Sequence, residues 1–205
     1  MSEFQTYLQL GFQHITDIKG YDHILFVVAL CAIYKLSDWK KVAILVTAFT
    51  IGHSVTLALS TLDIISYRSE IIEFLIPITI FITCLVNFFF KSDQKRKPVK
   101  APSSRSRYVL AMSFGLIHGM GFSNYLKSLL GQEQSIIKPL FAFNLGLEIG
   151  QLIIVLIALV LSFIMTEIFS VKKHDWNLIL SGMVAGIAIT LITGAAYFAE
   201  LFPGK

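Results

Sequence analysis

Apolar residues run in long blocks along this chain, and short polar stretches punctuate them. Ile71 to Phe90 and Leu152 to Met165 are nearly continuous apolar runs. A helix needs about 20 mostly apolar residues to cross a hydrocarbon core of about 30 Å. Six segments approach that length, with rough spans Tyr21–Leu36, Val42–Leu62, Ile71–Phe90, Tyr108–Leu130, Pro139–Phe169 and Trp176–Leu201. The pattern predicts an all-α polytopic membrane protein, with about six transmembrane helices in a single bundle and one domain over residues 1–205. The first span is short. Phe4–Gln13 reads as an amphipathic lead-in lying at the surface. Pro139 opens the fifth span, where its missing N–H is harmless. Pro77 lies inside the third and predicts a kink.

Composition agrees with the pattern. Apolar residues make up 55% of the 205 and charged residues 15%. A soluble domain carries about 25% charged residues, so the membrane class follows. Met1 to Gln13 has neither a basic leader nor a small-residue cleavage site, so the first helix is expected to direct insertion itself. Cys31 and Cys84 both fall in apolar segments and read as buried free thiols, because two isolated cysteines give no disulfide framework. The net charge of +4 points to no nucleic-acid partner.

Charge instead sets orientation. Residues 91–107, KSDQKRKPVKAPSSRSR, form a basic, polar loop with two prolines. With six spans, twelve of the lysines and arginines fall on the side of this loop and five on the other. Positive charge stays cytoplasmic. The loop is therefore expected inside and both termini outside.

Ionisable side chains within a bilayer are costly and usually functional. His14, Asp17, Asp22 and His23 lie near the first span. Thr50, His53, Ser54 and Thr56 lie in the second, His118 in the fourth, and Asn144, Glu148 and Gln151 in the fifth. His174, in a cytoplasmic loop, reads as a solvated residue. A rise of about 1.5 Å per residue puts His53 and His118 roughly 18 and 16 Å from the cytoplasmic edge. The same rise puts Glu148, Asn144 and His23 about 15, 9 and 6 Å from the outer edge. All five fall between the midplane and the outer face, although their helices run in opposite directions.

Spacing adds detail. Asn144, Glu148 and Gln151 stand at i, i+4 and i+7 and make one polar stripe. Gly146 and Gly150 form a GxxxG pair beside it, which predicts close helix contact. His14 and His23 would face opposite sides of one continuous helix, and Gly20 offers a break that brings His14 over the site. Gly115, Gly119 and Gly121 surround His118, either for packing or for close approach of a ligand. Phe49 and Phe114 each precede a histidine by four residues, in two helices that both run outward.

Four motifs now carry a resemblance. GFQHITDIKGYDHILF, TAFTIGHSVTLAL, FGLIHGMGF and FNLGLEIGQ resemble the HupE/UreJ family of bacterial membrane proteins, from about Gly11 to Leu161. The family's His and Gly-x-Asp-His element maps onto His14, Gly20, Asp22 and His23. The proline of the shorter His-Pro form is absent, which places the chain nearer the family's broader branch. The resemblance implies a nickel or cobalt permease associated with hydrogenase and urease maturation, in the bacterial cytoplasmic (inner) membrane. Membrane lipid and a metalloenzyme-maturation or membrane partner protein are the partners it implies beside the metal.

The residues suit such a cargo. Neutral imidazole binds nickel, cobalt and zinc well. His23, His53 and His118 are the candidate ligands, and Asp22 is a ligand or the partner that orients an imidazole. Glu148, with Asn144 and Gln151, would supply oxygen ligands or accept protons. His14 would bind at the mouth of the path. A second chemistry fits the same groups. Three histidines and a carboxylate can hold zinc with one position left for water. Such an intramembrane zinc-dependent hydrolase would act on a lipid or membrane-anchored substrate, with Glu148 or Asp22 as general base and Ser54 as a substrate contact. A third reading is a subunit that binds metal without moving it.

Overall fold

The computed structural model describes residues 2–89, 104–130 and 136–202. Most of the basic loop expected at 91–107 lies outside the described residues. Its last residues, from Ser104 on, belong to a helix. The described residues contain helices and no strand.

Among the described residues eight α-helices follow one another: α1 (Glu3–Thr16), α2 (Asp22–Cys31), α3 (Trp39–Thr61), α4 (Ser69–Phe88), α5 (Ser104–Leu130), α6 (Ile137–Phe163), α7 (Lys173–Gly194) and α8 (Ala196–Leu201). A 3₁₀ turn at Leu36–Asp38 precedes α3, and a π turn at Ile164–Ile168 extends α6. Four segments are long and apolar enough to cross a membrane by length and composition. They are Leu36–Thr61, Ser69–Phe88, Ile137–Ile168 and Lys173–Gly194. Helix α5 has the length at 27 residues, but its glycines, His118 and Asn124 dilute its apolar character. Helix α2 has only 10 residues, about 15 Å at the usual helical rise. Of the six expected spans, four thus meet the criterion of length and hydropathy.

The expected lead-in is a helix, and it does not lie apart at the surface. A capping box starts it: Ser2 accepts from the Gln5 N–H at 3.3 Å, and Gln5 Oε1 accepts from the Ser2 N–H at 3.0 Å. Its buried residues, Tyr7, Gly11 and Ile15, recur every four positions. That stripe docks on α6. A Cβ at Gly11 would lie 1.9 Å from the Phe143 carbonyl oxygen, and one at Gly146 would lie 1.9 Å from that of Leu8. Ile15 fills the notch at Gly150. Phe4 meets Phe141 at one end of the contact and Ile15 meets Gly150 at the other, so α1 and α6 run parallel.

Helices α3 and α5 repeat this device. A Cβ at Gly52 would lie 2.2 Å from the Met112 carbonyl oxygen; at Gly115, 2.1 Å from that of Phe49; at Gly119, 2.2 Å from that of His53. These two helices also run parallel, with their backbones in contact. Pro77 is buried within α4, which continues through it from Ser69 to Phe88.

Helix ends sort onto two faces. On one, Arg107 donates to the Tyr34 hydroxyl at 3.0 Å, and Lys173 Nζ reaches Ser162 at 2.7 Å and the Tyr34 carbonyl. On the other, Lys127 pairs with Asp63, Asn124 donates to Ser69, Tyr67 bonds to Met120 and Ser123, and Arg68 pairs with Glu200. Helix α2 therefore ends on the Lys173 face. Just inside the Lys173 face, Asn87 donates to the Ala29 carbonyl at 2.7 Å and Asn177 to the Asn87 carbonyl at 2.8 Å, tying α2, α4 and α7 together.

The glycine contacts predict an asymmetry. Gly115→Ala forces a methyl into the Phe49 backbone and should destabilise by about 1–3 kcal/mol, the usual scale of overpacking. Gly182→Ala adds a methyl where nothing lies within 4 Å and should be neutral or stabilising, by about 0.5–1 kcal/mol from helix propensity. Thermal unfolding of the two variants in detergent separates these outcomes. Equal shifts would contradict the packing.

Candidate metal centre

Four helices carry histidines to one place. His14 sits at the end of α1, Asp22 and His23 open α2, His53 lies in mid α3, and His118 lies in mid α5. The break between α1 and α2 makes this convergence. Helix α1 stops at Thr16, and the Asp17 side chain accepts from the Lys19 N–H at 2.9 Å to fold the turn. The chain re-enters the bundle at Asp22, and His14 and His23 then face each other. The break expected near Gly20 is present.

Ring centroids measure the cluster. His23 lies 4.7 Å from His14, 5.0 Å from His118 and 6.0 Å from His53, and His14 lies 6.2 Å from His53. Two sets of ligand atoms lie within 4.8 Å of one another: His14, His23 and His53, and Asp22, His23 and His118. His23 belongs to both. His53 is fully buried, His118 is 1% exposed and His23 is 4% exposed.

Hydrogen bonds assign the tautomers. His23 Nδ1 lies 3.2 Å from Asp22 Oδ1. A carboxylate only accepts, so Nδ1 carries the hydrogen and Nε2 keeps its lone pair. His118 Nε2 lies 3.2 Å from the Thr79 hydroxyl, which itself donates to the Ile76 carbonyl at 2.7 Å. The His118 hydrogen is therefore on Nε2, and Nδ1 is the open position. His14 Nε2, His23 Nε2, His118 Nδ1 and both His53 nitrogens are buried without a hydrogen-bond partner. Buried polar groups are normally paired. A core of structural histidines would not leave lone pairs converging in this way; a metal ion would engage them. The Asp22–His23 pair has the carboxylate–imidazole arrangement that fixes a metal ligand.

Phenylalanines close the cluster on one side. Phe26, Phe49 and Phe114 each lie about one helical turn toward the Lys173 face, and all three are buried. Phe49 touches His53, His118 and His23, with centroids at 6.1, 5.1 and 6.2 Å. The two phenylalanines noted four residues before a histidine thus form part of an apolar floor. On the opposite side, two open clefts flank the α1–α2 turn. One is lined by His14, Asp17, Lys19 and Tyr125, and the other by Lys19, Asp22, Glu73 and Pro77.

Other predicted residues lie apart. Glu148 belongs to neither ligand set. Its carboxylate accepts from Thr47 and Thr50, each at 2.5 Å, and Thr50 also meets Gln151 at 2.7 Å. Asn144 is the exception: it donates to the Leu140 carbonyl at 2.8 Å and its side chain also reaches His53. Ser54 donates to the Thr50 carbonyl at 2.7 Å and is turned onto its own helix. Gly115 and Gly119 serve packing, and α5 is unbroken at Gly121. Sequence reasoning missed Thr79 and Thr47. A threonine in an apolar span carries no signal of its own, and only the His118 and Glu148 contacts single these two out.

No curated protein and no solved structure matches the chain. The family described as HupE / UreJ protein matches it over residues 1–200. That match covers every residue of the histidine cluster as well as the four motifs, and the chain therefore belongs to the HupE/UreJ family of membrane proteins.

Proposed function

We propose that this protein carries a divalent transition metal ion of the nickel or cobalt type across the membrane, from a centre that opens to the extracytoplasmic side. The convergence of four imidazoles and Asp22, with open lone pairs, is the observation that carries the reading. The ligands are His14, His23, His53 and His118, Asp22 joins them through the oxygen that His23 does not engage, and the ion is cargo rather than a resident cofactor. Glu148 is left out of this ligand set because threonine hydroxyls engage its carboxylate.

In this reading α1 and α2 together make the first of six crossings, and α3 to α7 make the other five. Discontinuous helices at substrate sites are common in transporters. The Lys173 face is cytoplasmic by the bias of lysine and arginine, and both termini then face outward, in a bacterial inner membrane. The two clefts beside the α1–α2 turn admit the ion. Asp22 lowers the cost of bringing a 2+ charge into low dielectric. Because His23 belongs to both ligand sets, an ion can pass from His14 and His53 to Asp22 and His118 by exchanging partners around one imidazole. The phenylalanine floor blocks the way inward, so passage requires rocking of helices rather than an open pore.

A hydrolase at this centre would need a carboxylate base beside a metal-bound water. Glu148 is held by two threonines and Ser54 is bonded to its own helix, which leaves Asp22 alone for that role. The metal-transport reading uses every group as it is placed.

Two outcomes are expected. In proteoliposomes, the wild type takes up labelled nickel or cobalt, and His23→Ala and His118→Ala abolish uptake. Tightly bound stoichiometric zinc with no uptake would sink the transport reading in favour of a hydrolase. In purified protein, Asp22→Asn and Thr79→Val release the tautomers of His23 and His118 and should weaken metal affinity about 10–100-fold, the usual effect of losing such a partner. Competition titration against a metal-binding dye measures this. Unchanged affinity in both variants would mean that neither side chain positions a ligand.

A further inference from the structure

A second polar cluster lies between α3 and α6, three to six residues before His53 along α3. Glu148 Oε1 and Oε2 each meet a threonine hydroxyl, from Thr47 and Thr50, at 2.5 Å. Thr50 Oγ1 also lies 2.7 Å from Gln151 Oε1 and 3.1 Å from the Val46 carbonyl, and Thr47 Oγ1 lies 3.0 Å from the Ala43 carbonyl. Two hydroxyl hydrogens thus face five acceptor oxygens. Gln151 is fully buried, its Oε1 faces Thr50, and its Nε2 has no hydrogen-bond partner.

Charge makes the case sharper. Glu148 sits well inside the longest of the apolar segments, Ile137–Ile168. No lysine or arginine among the described residues pairs with it. Helices α1, α2 and α3, which pack against α6, carry His14, Asp22, His23 and His53 as their titratable groups near this depth. His14 and His53 meet Phe143, five residues before Glu148 and toward the other face. None of these groups touches the carboxylate. A lone carboxylate in hydrocarbon is costly. One positive charge neutralises it, whereas a divalent ion would leave a net charge behind. The donors are all oxygen, the preference of hard cations and protons, while the histidine centre offers nitrogen.

The geometry points to a binding site for one monovalent cation, sodium or a proton, at Glu148, Thr47, Thr50 and Gln151. The site is separate from the metal path, and its occupant couples to transport. The coupling rests on the transport reading; the binding does not. The cluster lies nearer the Lys173 face than the histidines, in the stretch where the phenylalanine floor blocks the metal. A cation bound there neutralises the α3–α6 seam, and its departure leaves a charge that must be resolvated. Either event biases which face the seam opens to.

The test uses the full-length protein in nanodiscs. Radiolabelled sodium binding is measured for the wild type, Glu148→Gln and Thr50→Val. A parallel arm follows the carboxyl infrared band through a pH titration. Nickel binding is measured on the same samples, with His23→Ala as control. Saturable sodium binding, weakened about tenfold or more in both variants as loss of a charge-assisted contact implies, identifies sodium. No sodium binding, with a titrating carboxyl band lost in Glu148→Gln, identifies a proton. Neither signal in the wild type overturns the site. Loss of nickel binding in Glu148→Gln and Thr50→Val as complete as in His23→Ala also overturns it, because Glu148 would then belong to the metal centre. Should the variants fail to fold, carbodiimide labelling of the wild type located by mass spectrometry decides. Labelling at Glu148, with or without protection by sodium, supports the site, and its absence at every pH counts against it. Cation binding without nickel uptake in proteoliposomes would remove the transport reading and leave this site standing.

Discussion

Backbone contact between parallel helices is the constraint on which the rest of this protein depends. Lipid tails are as apolar as leucine, so helices in a bilayer gain little from the hydrophobic effect on meeting one another. They associate by close packing and by hydrogen bonds. Here glycines remove the side chains that would keep backbones apart. Gly52 with Gly115 and Gly119 joins α3 to α5, and Gly11 with Gly146 and Gly150 joins α1 to α6. The same glycines adjoin the functional residues. Gly52 precedes His53, Gly119 follows His118, and Gly11 stands three residues before His14. Bringing the backbones together therefore brings the imidazoles together. A methyl group at any of these interfaces would move a ligand as well as a helix.

The second constraint is the treatment of polar atoms. A buried donor or acceptor without a partner costs about 1–3 kcal/mol. This protein leaves several imidazole nitrogens in that condition at one point, and single atoms of Ser60, Thr61, Gln151 and Trp176 apart from them, while the contact of α2, α4 and α7 is bonded throughout its asparagine side chains. Asn87, Asn177 and Ser181 bond to one another and to the Ala29 carbonyl. The contrast is physical evidence of two kinds of polar residue in one bundle. The asparagine network holds helices together. The histidines are held by glycine packing and by one hydrogen bond each at His23 and His118, with their remaining nitrogens kept open.

Much of this was legible in the sequence, for reasons that differ by element. The helices α3, α4, α6 and α7 announce themselves by long apolar runs. The positions of lysine and arginine put His53, His118 and His23 at one estimated level, and the structure brings their rings together. The break near Gly20 was readable because a continuous helix would have turned His14 away. Other features were hidden. Helix α1 is mildly amphipathic and polar at its exposed positions, so it resembles a surface helix. Its docking depends on Gly11 meeting the Phe143 backbone and Gly146 that of Leu8, contacts between segments far apart in the chain. The depth of Glu148 matched the histidines, but depth carries no rotation about the helix axis. Its carboxylate points along the α3 seam to Thr47 and Thr50 rather than into the cluster.

That rotation bears on how a charged ion could leave. The histidine centre ends on Phe26, Phe49 and Phe114, and a polar path seen only along the helix axes would stop there. Thr47 and Thr50 bracket the level of Phe49 along α3 and meet Glu148 in the α3–α6 seam. The polar groups therefore do not form one straight line through the bundle. They form two clusters on neighbouring faces of α3, with His53 on one and Thr47 and Thr50 on the other. Helix α3 is clamped to α5 by three glycine contacts and meets α6 through side-chain hydrogen bonds. Glycine packing is hard to slide, whereas hydroxyl–carboxylate bonds can exchange. Motion is thus expected at the α3–α6 seam, with α3 and α5 moving as one body that carries His53 and His118 together.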